Sequence, residues 1–576
     1  MKSEIIPITD LKDMLYKTGE KYGNRSAYKI RVEEGVYKTI THAEFRDMVN
    51  YLGTALIDMG LKNKRIAVIG ENRYEWCLSY LAVVCGTGII VPLDKALPEN
   101  ELESLIERSE VEAIFFSEKY EDILKRISLS DKNKLKHLIS MDSSIHSEGI
   151  YSEKELVENG KKLVENGNME FINAKIDPEA MNIMLFTSGT TDKSKVVALC
   201  HRNLIYNLMD VTTILDVTYE DRFLSFLPLH HVFECMAGML LPLYIGAELS
   251  FCDGIRYILK NLNEYKTTFV SFVPAVYENM YKNIVKNLEA SGKLEIIKQL
   301  EEKYKDASME EKKEVFKDIH NIFGGCIRIF ISGAAALDPE VEHAFRRWGF
   351  YLQQGYGLTE TSPVIGVETF DDFRVGSIGK ALPHVEAKLA NVNDEGMGEL
   401  IVKGPNVMLG YYGDDKATDE AIIDGWFYTG DLAKIDEDGF IFLCGRKKSV
   451  IVLKNGKNIF PEEMEALVNK VEGVKESFIF GKQRTGVESS SETEDVKIYV
   501  KIVFDRNIMK DAYKVETDQE IHDVLLDKIK EINKSMPNYK AIRGILLTEE
   551  PLIKTTTSKI RRKENLDVIL ANEDKI

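Results

Sequence analysis

Short runs of β-branched and aromatic residues alternate along this sequence with longer stretches of helical periodicity. The predicted strands are KRIAVIG (64–70), GTGIIVPL (86–93), VEAIFFS (111–117) and MNIMLFTS (181–188). Helices are predicted over 42–60 and 99–109. This alternation favours a mainly parallel sheet with helices on both faces. We therefore predict an α/β fold whose large N-terminal domain contains parallel-rich sheets packed with helices.

The overall charge and the cysteines limit the classes of function. The formal net charge of -18 argues against a nucleic-acid-binding surface. The seven cysteines form no Cys-x-x-Cys pair and mostly lie in apolar stretches, so we predict buried free thiols. The N-terminal segment lacks the apolar core of a secretory signal. We expect a cytoplasmic protein.

Two apolar runs, 76–93 and 223–251, approach the length of a membrane span. Glycine and proline interrupt the first, and proline, histidine and glutamate interrupt the second. These interruptions favour buried helices and strands of a large core. Peripheral contact with a membrane stays open.

The later part of the chain suggests a second unit. Residues 281–320 are strongly charged and helical in pattern, which predicts a solvated helical hairpin. Residues 484–497 are polar and predict a mobile loop. Strand and helix patterns resume after about 449. We predict an N-terminal domain over 1–447 and a small, mobile α+β domain over 448–576.

Residues 185–195, LFTSGTTDKSK, place small hydroxyl residues between an apolar run and two lysines. A surface loop would explain such a cluster. A phosphate cradle would explain it too, because small residues let backbone N–H groups approach an anion while a lysine adds charge. The spacing is not that of a Walker loop. Composition alone leaves both interpretations open.

Four further motifs follow in order: QQGYGLTETSP (353–363), WFYTGDL (426–432), LCGRKKSVIVLKNGKNIFPEEME (443–465) and IKTTTSKIRRKE (553–564). The first of them contains Gly-x-Gly but lacks the third glycine of a dinucleotide fingerprint, which excludes that interpretation. Together with the opening loop, their order and spacing resemble the adenylate-forming (AMP-binding) superfamily. The likeness covers nearly the whole chain and is greatest to long-chain fatty acyl-CoA synthetases.

The resemblance implies an ATP site. Tyr356 would stack on adenine, Thr359 would contact the α-phosphate, Asp431 would accept from the ribose hydroxyls, and Arg446 would add a contact there. The residues implied for ATP binding are Thr187, Ser188, Gly189, Thr190, Thr191, Lys195, Gly333, Ala334, Ala335, Tyr356, Gly357, Thr359, Asp431, Arg446 and Lys559. Thr190 and Glu360 would hold Mg²⁺, a hard ion that prefers oxygen ligands.

The resemblance also implies catalytic and conformational roles. The implied catalytic residues are Lys559, Thr190, Glu360 and His231. His231 of LPLHHVFE (227–234) would gate the acyl pocket, with His230 as its neighbour, and Lys554 competes with Lys559 for the role of catalytic lysine. Lys448 would be the hinge between two catalytic conformations, and Gly456 would face the thiol tunnel.

Three positions depart from the family pattern. Asp192 and Ser194 stand where the phosphate loop usually has Gly and Pro, and Ser558 replaces a Gly before the catalytic lysine. Asp192 would bring negative charge near a triphosphate, so its effect on ATP affinity is open.

The implied activity is that of an acid–thiol ligase. ATP and Mg²⁺ would convert a medium- or long-chain fatty acid to an acyl-adenylate, and coenzyme A would then give acyl-CoA with release of AMP. Three alternatives stay open: a ligase that loads an acyl-carrier protein, a luciferase-like oxygenase, and a catalytically weak ligand-binding homologue. Because the sequence ends soon after Lys559, we expect no carrier domain within it.

Overall fold

The computed structural model describes residues 4–143, 149–187, 194–453, 458–482, 496–554 and 560–571. Its strands, in chain order, are β1 (Ser26–Glu33), β2 (Val36–Thr41), β3 (Lys64–Ile69), β4 (Gly88–Pro92), β5 (Ala113–Phe116), β6 (His137–Ser140), β7 (Ile150–Ser152), β8 (Met181–Thr187), β9 (Lys195–Cys200), β10 (Arg222–Ser225), β11 (Glu248–Phe251), β12 (Phe269–Phe272), β13 (Ile329–Ser332), β14 (Tyr351–Gly357), β15 (Val364–Val367), β16 (Lys380–Ala381), β17 (Glu386–Ala390), β18 (Gly398–Lys403), β19 (Gly410–Tyr411), β20 (Ile422–Ile423), β21 (Trp426–Ile435), β22 (Ile441–Arg446), β23 (Ile451–Val452), β24 (Asn458–Ile459), β25 (Val474–Lys482), β26 (Lys497–Phe504) and β27 (Ile542–Thr548).

The α-helices are α1 (Leu11–Lys21), α2 (His42–Asp58), α3 (Tyr74–Ala82), α4 (Glu99–Ser109), α5 (Glu121–Ser128), α6 (Glu153–Glu165), α7 (Glu170–Asn173), α8 (His201–Ile214), α9 (Val232–Cys235), α10 (Leu241–Ile245), α11 (Ile258–Glu264), α12 (Pro274–Ala290), α13 (Leu294–Lys303), α14 (Met309–Val315), α15 (Lys317–Ile322), α16 (Pro339–Arg347), α17 (Asp415–Ala421), α18 (Pro461–Val468), α19 (Arg506–Tyr513), α20 (Asp518–Lys534) and α21 (Arg562–Leu570). Short π turns cover Val83–Thr87 and Met236–Leu240, and short 3-10 turns cover Glu118–Tyr120, Ile255–Tyr257, Thr359–Thr361, Lys447–Ser449 and Asn538–Lys540.

Two large mixed sheets organise the N-terminal part. One has nine strands in the order β16-β15-β14-β13-β12-β10-β11-β1-β2, and the other has eight in the order β19-β9-β8-β4-β3-β5-β6-β7. The central strands of both sheets pair in parallel, and antiparallel strands such as β2, β9 and β15 lie toward the edges. The predicted α/β class with parallel-rich sheets is confirmed.

A shared core joins the two sheets. It contains Leu204 and Leu208 of α8 and Met239 of the π turn, together with Ile90 of the eight-stranded sheet and Leu249 of the nine-stranded sheet. Apolar side chains on these helical segments therefore pack against both sheets. This explains why the runs 76–93 and 223–251 are apolar: they are interior elements. Among the described residues, no helix combines the length and apolarity that crossing a membrane requires.

Most predicted elements form at the expected places. The helix over 99–109 has the predicted bounds, and α2 begins with a capping box in which the Thr41 and Glu44 side chains bond to each other's backbone N–H. The predicted hairpin over 281–320 is wrong, because four helices, α12 to α15, cover this region. Ser291 and Gly292 end α12, and a Ser308–Glu311 capping box begins α14.

The cysteine prediction holds only in part. Cys77, Cys85, Cys200 and Cys235 are buried free thiols, as expected. Cys252, Cys326 and Cys444 are free but only partly buried. The apolar sequence around a cysteine did not reveal whether its own side chain points inward.

A five-stranded antiparallel sheet (β17, β18, β20, β21 and β22) follows the two large sheets. After it, β25, β26 and β27 form a three-stranded sheet that packs with α18 and α20. Among the described residues, the core around these last elements draws on positions 451–547 alone. The segment predicted to be a mobile loop, 484–497, lies almost entirely outside the described residues.

Candidate active site

One cleft of about 3110 Å³ lies where several parallel strands end. Asp94 follows β4, Phe226 follows β10, Val273 follows β12 and Gly333 follows β13, and all four line this cleft. Open α/β sheets bind ligands at the carboxyl ends of their strands. Every predicted site residue that the structure describes lines this cleft. These residues are Thr187, Lys195, His231, Gly333, Ala334, Ala335, Tyr356, Gly357, Thr359, Glu360, Asp431, Arg446 and Lys448. Ser188, Gly189, Thr190, Thr191, Gly456 and Lys559 lie outside the described residues.

The β8–β9 hairpin forms one end of the cleft. Thr187, the last residue of β8, pairs with Lys195, the first residue of β9. The Lys195 ammonium lies over the ring of Tyr411, 4.2 Å from its centroid. Tyr411 reaches this point because β19 pairs with β9. A cation thus stands at the exit of the predicted phosphate loop.

Tyr411 also contacts the predicted magnesium ligand. Its hydroxyl donates to Glu360 Oε1 at 2.9 Å. Burial, followed by the charge of Glu360, raises the pKa of the Tyr411 phenol, so the phenol keeps its proton and stays a donor. One tyrosine therefore touches both Lys195 and Glu360. No local motif indicates this role of Tyr411, because the pairing of β19 with β9 joins segments more than 200 residues apart.

A tight turn presents Glu360. This residue lies in the 3-10 turn Thr359–Thr361, and the chain then folds back so that Pro363 approaches Gly357. A Cβ on Gly357 would lie 1.7 Å from the Pro363 carbonyl oxygen, so only glycine fits here. The Glu360 carbonyl accepts from the Met408 N–H at 2.9 Å, which ties the turn to the segment before β19.

An acidic residue orders a second group of side chains in the cleft. Asp431 is 5% exposed and lies opposite Arg446 in the β21–β22 pair. Arg446 Nε contacts Asp431 Oδ1 at 2.8 Å, and the Tyr356 hydroxyl donates to Asp431 Oδ2. Burial, followed by the Asp431 charge, raises the pKa of Tyr356. Three residues that the sequence predicts to bind adenosine therefore form one cluster around the Asp431 carboxylate.

The segment after β13 shows backbone strain. Ala334 has a φ of 70°, in the left-handed region, which costs a non-glycine residue on the order of 1–3 kcal/mol. Beside it, a Cβ on Gly333 would meet the Phe233 ring at 3.0 Å. Strained residues of this kind cluster at ligand sites. Gly333, Ala334 and Ala335 are the residues that the sequence predicts to line the adenine pocket.

The loop after β10 carries the two histidines. His231 precedes α9, and its ring centroid lies 4.1 Å from that of His230. Glu234, three residues on, is fully buried and accepts from Ser225 Oγ at 2.6 Å and from the Phe226 N–H at 3.1 Å. Burial raises the pKa of Glu234 to about 8. Glu234 therefore ties the loop back to β10, a role that no sequence motif indicates.

Apolar side chains line the same cleft near these histidines. They come from α8, from the segment after His231, and from β12 and β13: Leu208, Val211, Leu215, Phe233, Met236, Ala237, Leu241, Phe269 and Ile331. A cleft that combines charged groups with an apolar wall suits an amphipathic ligand.

A second cation fastens the hydroxyl-rich hairpin. Arg108 of α4 donates from Nη1 to Ser194 Oγ at 3.1 Å and from Nη2 to the Ser194 carbonyl at 2.6 Å. Ser194 is one of the departures noted in the sequence, and its hydroxyl provides a contact that a proline could not. No local sequence pattern indicates the role of Arg108, since α4 lies 85 residues or more from Ser194 along the chain.

The C-terminal part closes the remaining side of the cleft. Lys448 lies in the 3-10 turn Lys447–Ser449, and Lys447 pairs with Glu399 at 2.7 Å. Ile560 and Arg562 line the cleft. Lys470 Nζ contacts Asp338 Oδ2 at 2.9 Å, which links the C-terminal part to the start of α16. Lys554, in contrast, is paired with Glu476 at 2.8 Å.

Comparison with known proteins gives one family. The family described as "AMP-binding enzyme" matches residues 15–412, which is more than half of the chain. The fatty acyl-CoA synthetase B of Dictyostelium discoideum is 28% identical over 97% of this chain and 88% of its own length. The long-chain-fatty-acid--CoA ligase FadD15 of Mycobacterium bovis is 28% identical over 76% of this chain and 74% of its own.

Solved structures share the fold. The anthranilate CoA ligase AuaEII, solved in complex with anthranoyl-AMP, aligns with a TM-score of 0.76 over 100% of both chains at 20% identity. At this identity the likeness shows a shared fold over the whole chain. The fold predicted from the sequence and the family resemblance are both confirmed.

Proposed function

Because this chain belongs to the AMP-binding enzyme family, we propose that it activates a fatty acid with ATP and transfers the acyl group to coenzyme A. AMP and pyrophosphate are the other products. The observation that carries this proposal is the single cleft, which joins cationic, carboxylate and adenosine-type residues to an apolar wall. The fatty acyl and long-chain fatty acid specificity named for the two relatives supports the choice of acid.

The first half-reaction brings two anions together, a carboxylate and the α-phosphate of ATP. Cations must offset their repulsion, and Lys195 supplies one at the phosphate end. Glu360 offers the hard oxygen ligand that Mg²⁺ prefers, and Tyr411 orients that carboxylate. When bound, Mg²⁺ would screen the phosphate charges. Tyr356, Asp431 and Arg446 then hold the adenosine.

The acid would lie along the apolar wall with its carboxylate toward the phosphate end. His231 stands beside this wall and gates it in our proposal. Burying each methylene of a chain contributes about 0.8 kcal/mol, so a long wall favours medium and long acids over acetate. The thiol of coenzyme A enters in the second half-reaction, near Gly456.

The two half-reactions need different groups at the same cleft. We propose that residues 448–576 form the unit that reorients between them, with Lys448 at the hinge. Lys559 would act in adenylate formation. The alternative, Lys554, is engaged by Glu476, and its side chain does not line the described part of the cleft, which favours Lys559.

Pyrophosphate release with ATP and Mg²⁺ tests this function across acids from acetate to oleate, with benzoate and amino acids included, in the presence and absence of coenzyme A. Steady release that needs both coenzyme A and a medium or long acid is the expected result. Release limited to about one turnover would identify another thiol, such as a carrier protein, as the acceptor. Failure with every acid would contradict the proposal and favour a ligand-binding homologue.

Lys559→Ala gives the matched test of the catalytic lysine. We expect it to abolish adenylate formation from ATP while it largely retains conversion of supplied acyl-adenylate to acyl-CoA. Lys554→Ala is the control and should retain both steps. Equal loss of both half-reactions in Lys559→Ala would remove the proposed role.

A further inference from the structure

Two histidines and an aspartate form a compact cluster beside the cleft. Asp94 follows β4, and His230 and His231 lie in the turn before α9. The ligand atoms of the three side chains all lie within 4.8 Å of one another. His230 Nε2 is 3.5 Å from Asp94 Oδ2, and these two side chains are only 10% and 13% exposed.

The surrounding hydrogen bonds orient the Asp94 side chain and hold the backbone of the histidine loop. Asp94 Oδ1 accepts from the Ala96 N–H at 2.8 Å, which turns Oδ2 toward His230. Asn72 holds the histidine loop, since its Nδ2 donates to the Leu227 carbonyl at 2.6 Å and its Oδ1 accepts from the Leu229 N–H at 3.3 Å. Hydrogen bonds therefore hold both the segment after β4, which carries Asp94, and the loop that carries the two histidines.

His230 Nε2 is the atom that most needs an explanation. It is buried and makes no hydrogen bond within the part of the chain that the structure describes. A buried polar nitrogen without a hydrogen bond lowers the stability of the folded protein. Its contact with Asp94, at 3.5 Å, is longer than a good hydrogen bond.

The separation of His230 and Asp94 matches that of two ligands in a tetrahedral metal site. Zn²⁺ binds imidazole nitrogen at about 2.0–2.1 Å and carboxylate oxygen at about 2.0–2.2 Å, so its ligands lie about 3.4 Å apart. The observed 3.5 Å separation of His230 Nε2 and Asp94 Oδ2 is close to that value. We propose that Asp94, His230 and His231 bind a divalent transition metal of the Zn²⁺ class, with the fourth position facing the cleft. Mg²⁺ is a poor occupant, because it prefers oxygen ligands.

A metal ion bound at this cluster would also affect the reaction. All three residues line the cleft, and His231 is the residue proposed to gate the acid. Coordination would lock that imidazole and leave a charged ion beside the apolar wall. We therefore expect Zn²⁺ to inhibit the acid-activation step. The expected inhibition rests on the proposed function, whereas metal binding does not.

The binding test titrates Zn²⁺ into the full chain in competition with a chromophoric chelator, with excess Mg²⁺ present. One Zn²⁺ per chain is expected. His230→Ala and Asp94→Asn should each weaken it by at least about 10-fold, and His230→Cys, which restores a zinc ligand, should recover most of the affinity. His384→Ala is the matched control, because His384 makes a similar contact with Asp210, Nδ1 to Oδ1 at 2.6 Å. Within the described ranges, this pair has no third ligand beside it.

Unchanged affinity in both His230→Ala and Asp94→Asn would overturn the proposal, since the ion would then be bound elsewhere. Thermal unfolding of each variant without metal shows whether it is folded, and Asp94→Asn decides the matter if His230→Ala is not. Inhibition is measured against the zinc-free rate of each variant. If no acid releases pyrophosphate, the proposed function fails while the binding result still stands.

Discussion

Tyr411 is the residue whose position adds most to the site. Its hydroxyl donates to Glu360 and its ring lies under the Lys195 ammonium, so it contacts both proposed phosphate-end groups. Tyr411→Phe removes the hydroxyl and keeps the ring. A hydrogen bond to a charged group contributes about 1.5–3 kcal/mol, so we expect the Mg²⁺ concentration for half-maximal activity to rise about 10-fold or more.

Tyr411→Leu removes the ring as well. Loss of the cation–π contact, about 0.5–2 kcal/mol, should raise the KM for ATP beyond the value of Tyr411→Phe. Tyr412→Phe is the control, because the neighbouring Tyr412 hydroxyl contacts Arg65 instead. Steady-state kinetics with varied ATP and Mg²⁺ measure all three variants. Equal behaviour of Tyr411→Phe and Tyr412→Phe would contradict the proposed role.

Glu234 predicts a dependence of stability on pH. Its pKa is raised from 4.5 to about 8 by burial, so the folded protein keeps a proton that the unfolded chain releases between these values. The free energy of unfolding therefore falls as pH rises from about 4.5 to about 8, by up to about 1.4 kcal/mol per pH unit for this group. Above pH 8 its contribution becomes constant.

Glu234→Gln mimics the protonated carboxyl and should remove this dependence. Thermal unfolding at several pH values measures the effect: the Tm of the variant relative to the unsubstituted protein should increase from pH 5 to pH 8. Glu368, whose pKa is also raised to about 8, remains in both proteins and cancels in the comparison. Parallel Tm curves would contradict the burial of a neutral Glu234.

At the scale of elements, α4 braces the phosphate-end hairpin through one side chain. Arg108 donates to both the hydroxyl and the carbonyl of Ser194. Arg108→Gln should loosen the start of β9 and raise the KM for ATP about 3- to 10-fold with a smaller effect on kcat, since ground-state binding is what weakens. Initial rates with varied ATP at saturating acid provide the measurement.

A double-mutant cycle separates this brace from a general effect of charge. Ser194→Ala removes one of the two contacts and should cause a smaller rise in KM. In the Arg108→Gln background, Ser194→Ala should add little, because the shared contact is already lost. Additive effects of the two substitutions would show that Arg108 acts independently of Ser194.

The same scale shows what sequence could and could not predict. Strands such as β3 and β8 and helices such as α2 and α4 are local patterns, and they formed where the periodicity placed them. Each described site residue that the motifs predicted also lines the cleft. Tyr411, Arg108 and Glu234 were missed because their roles depend on strand pairing and burial between distant segments, which local patterns do not encode.

At the scale of the whole molecule, the chain has two parts with separate cores. Among the described residues, the core of the C-terminal part consists only of residues from Ile451 onward. The ion pair of Lys470 with Asp338 connects the two parts. Exposed pairs of this kind contribute about 0–1 kcal/mol. The contact is weak enough that the C-terminal part could reorient without a large energetic barrier from this pair.

Lys448→Pro tests whether such reorientation is required. Proline fixes φ near −65° and removes a backbone donor, so the turn Lys447–Ser449 would favour one conformation. Adenylate formation should persist, while transfer of the acyl group to coenzyme A should fall about 100-fold, because misplacement of reacting groups by about 1 Å has that effect. Single-turnover measurements of pyrophosphate and acyl-CoA resolve the two steps.

Lys448→Ala is the control for loss of the side chain, since it leaves the backbone free to rotate. It should retain both half-reactions within about threefold, the range of a surface substitution of up to about 0.5 kcal/mol. If Lys448→Pro and Lys448→Ala behave alike, the turn is not a hinge. If Lys448→Pro instead blocks adenylate formation and spares acyl transfer, proline has fixed the other conformation, and the hinge stands with its two states reversed.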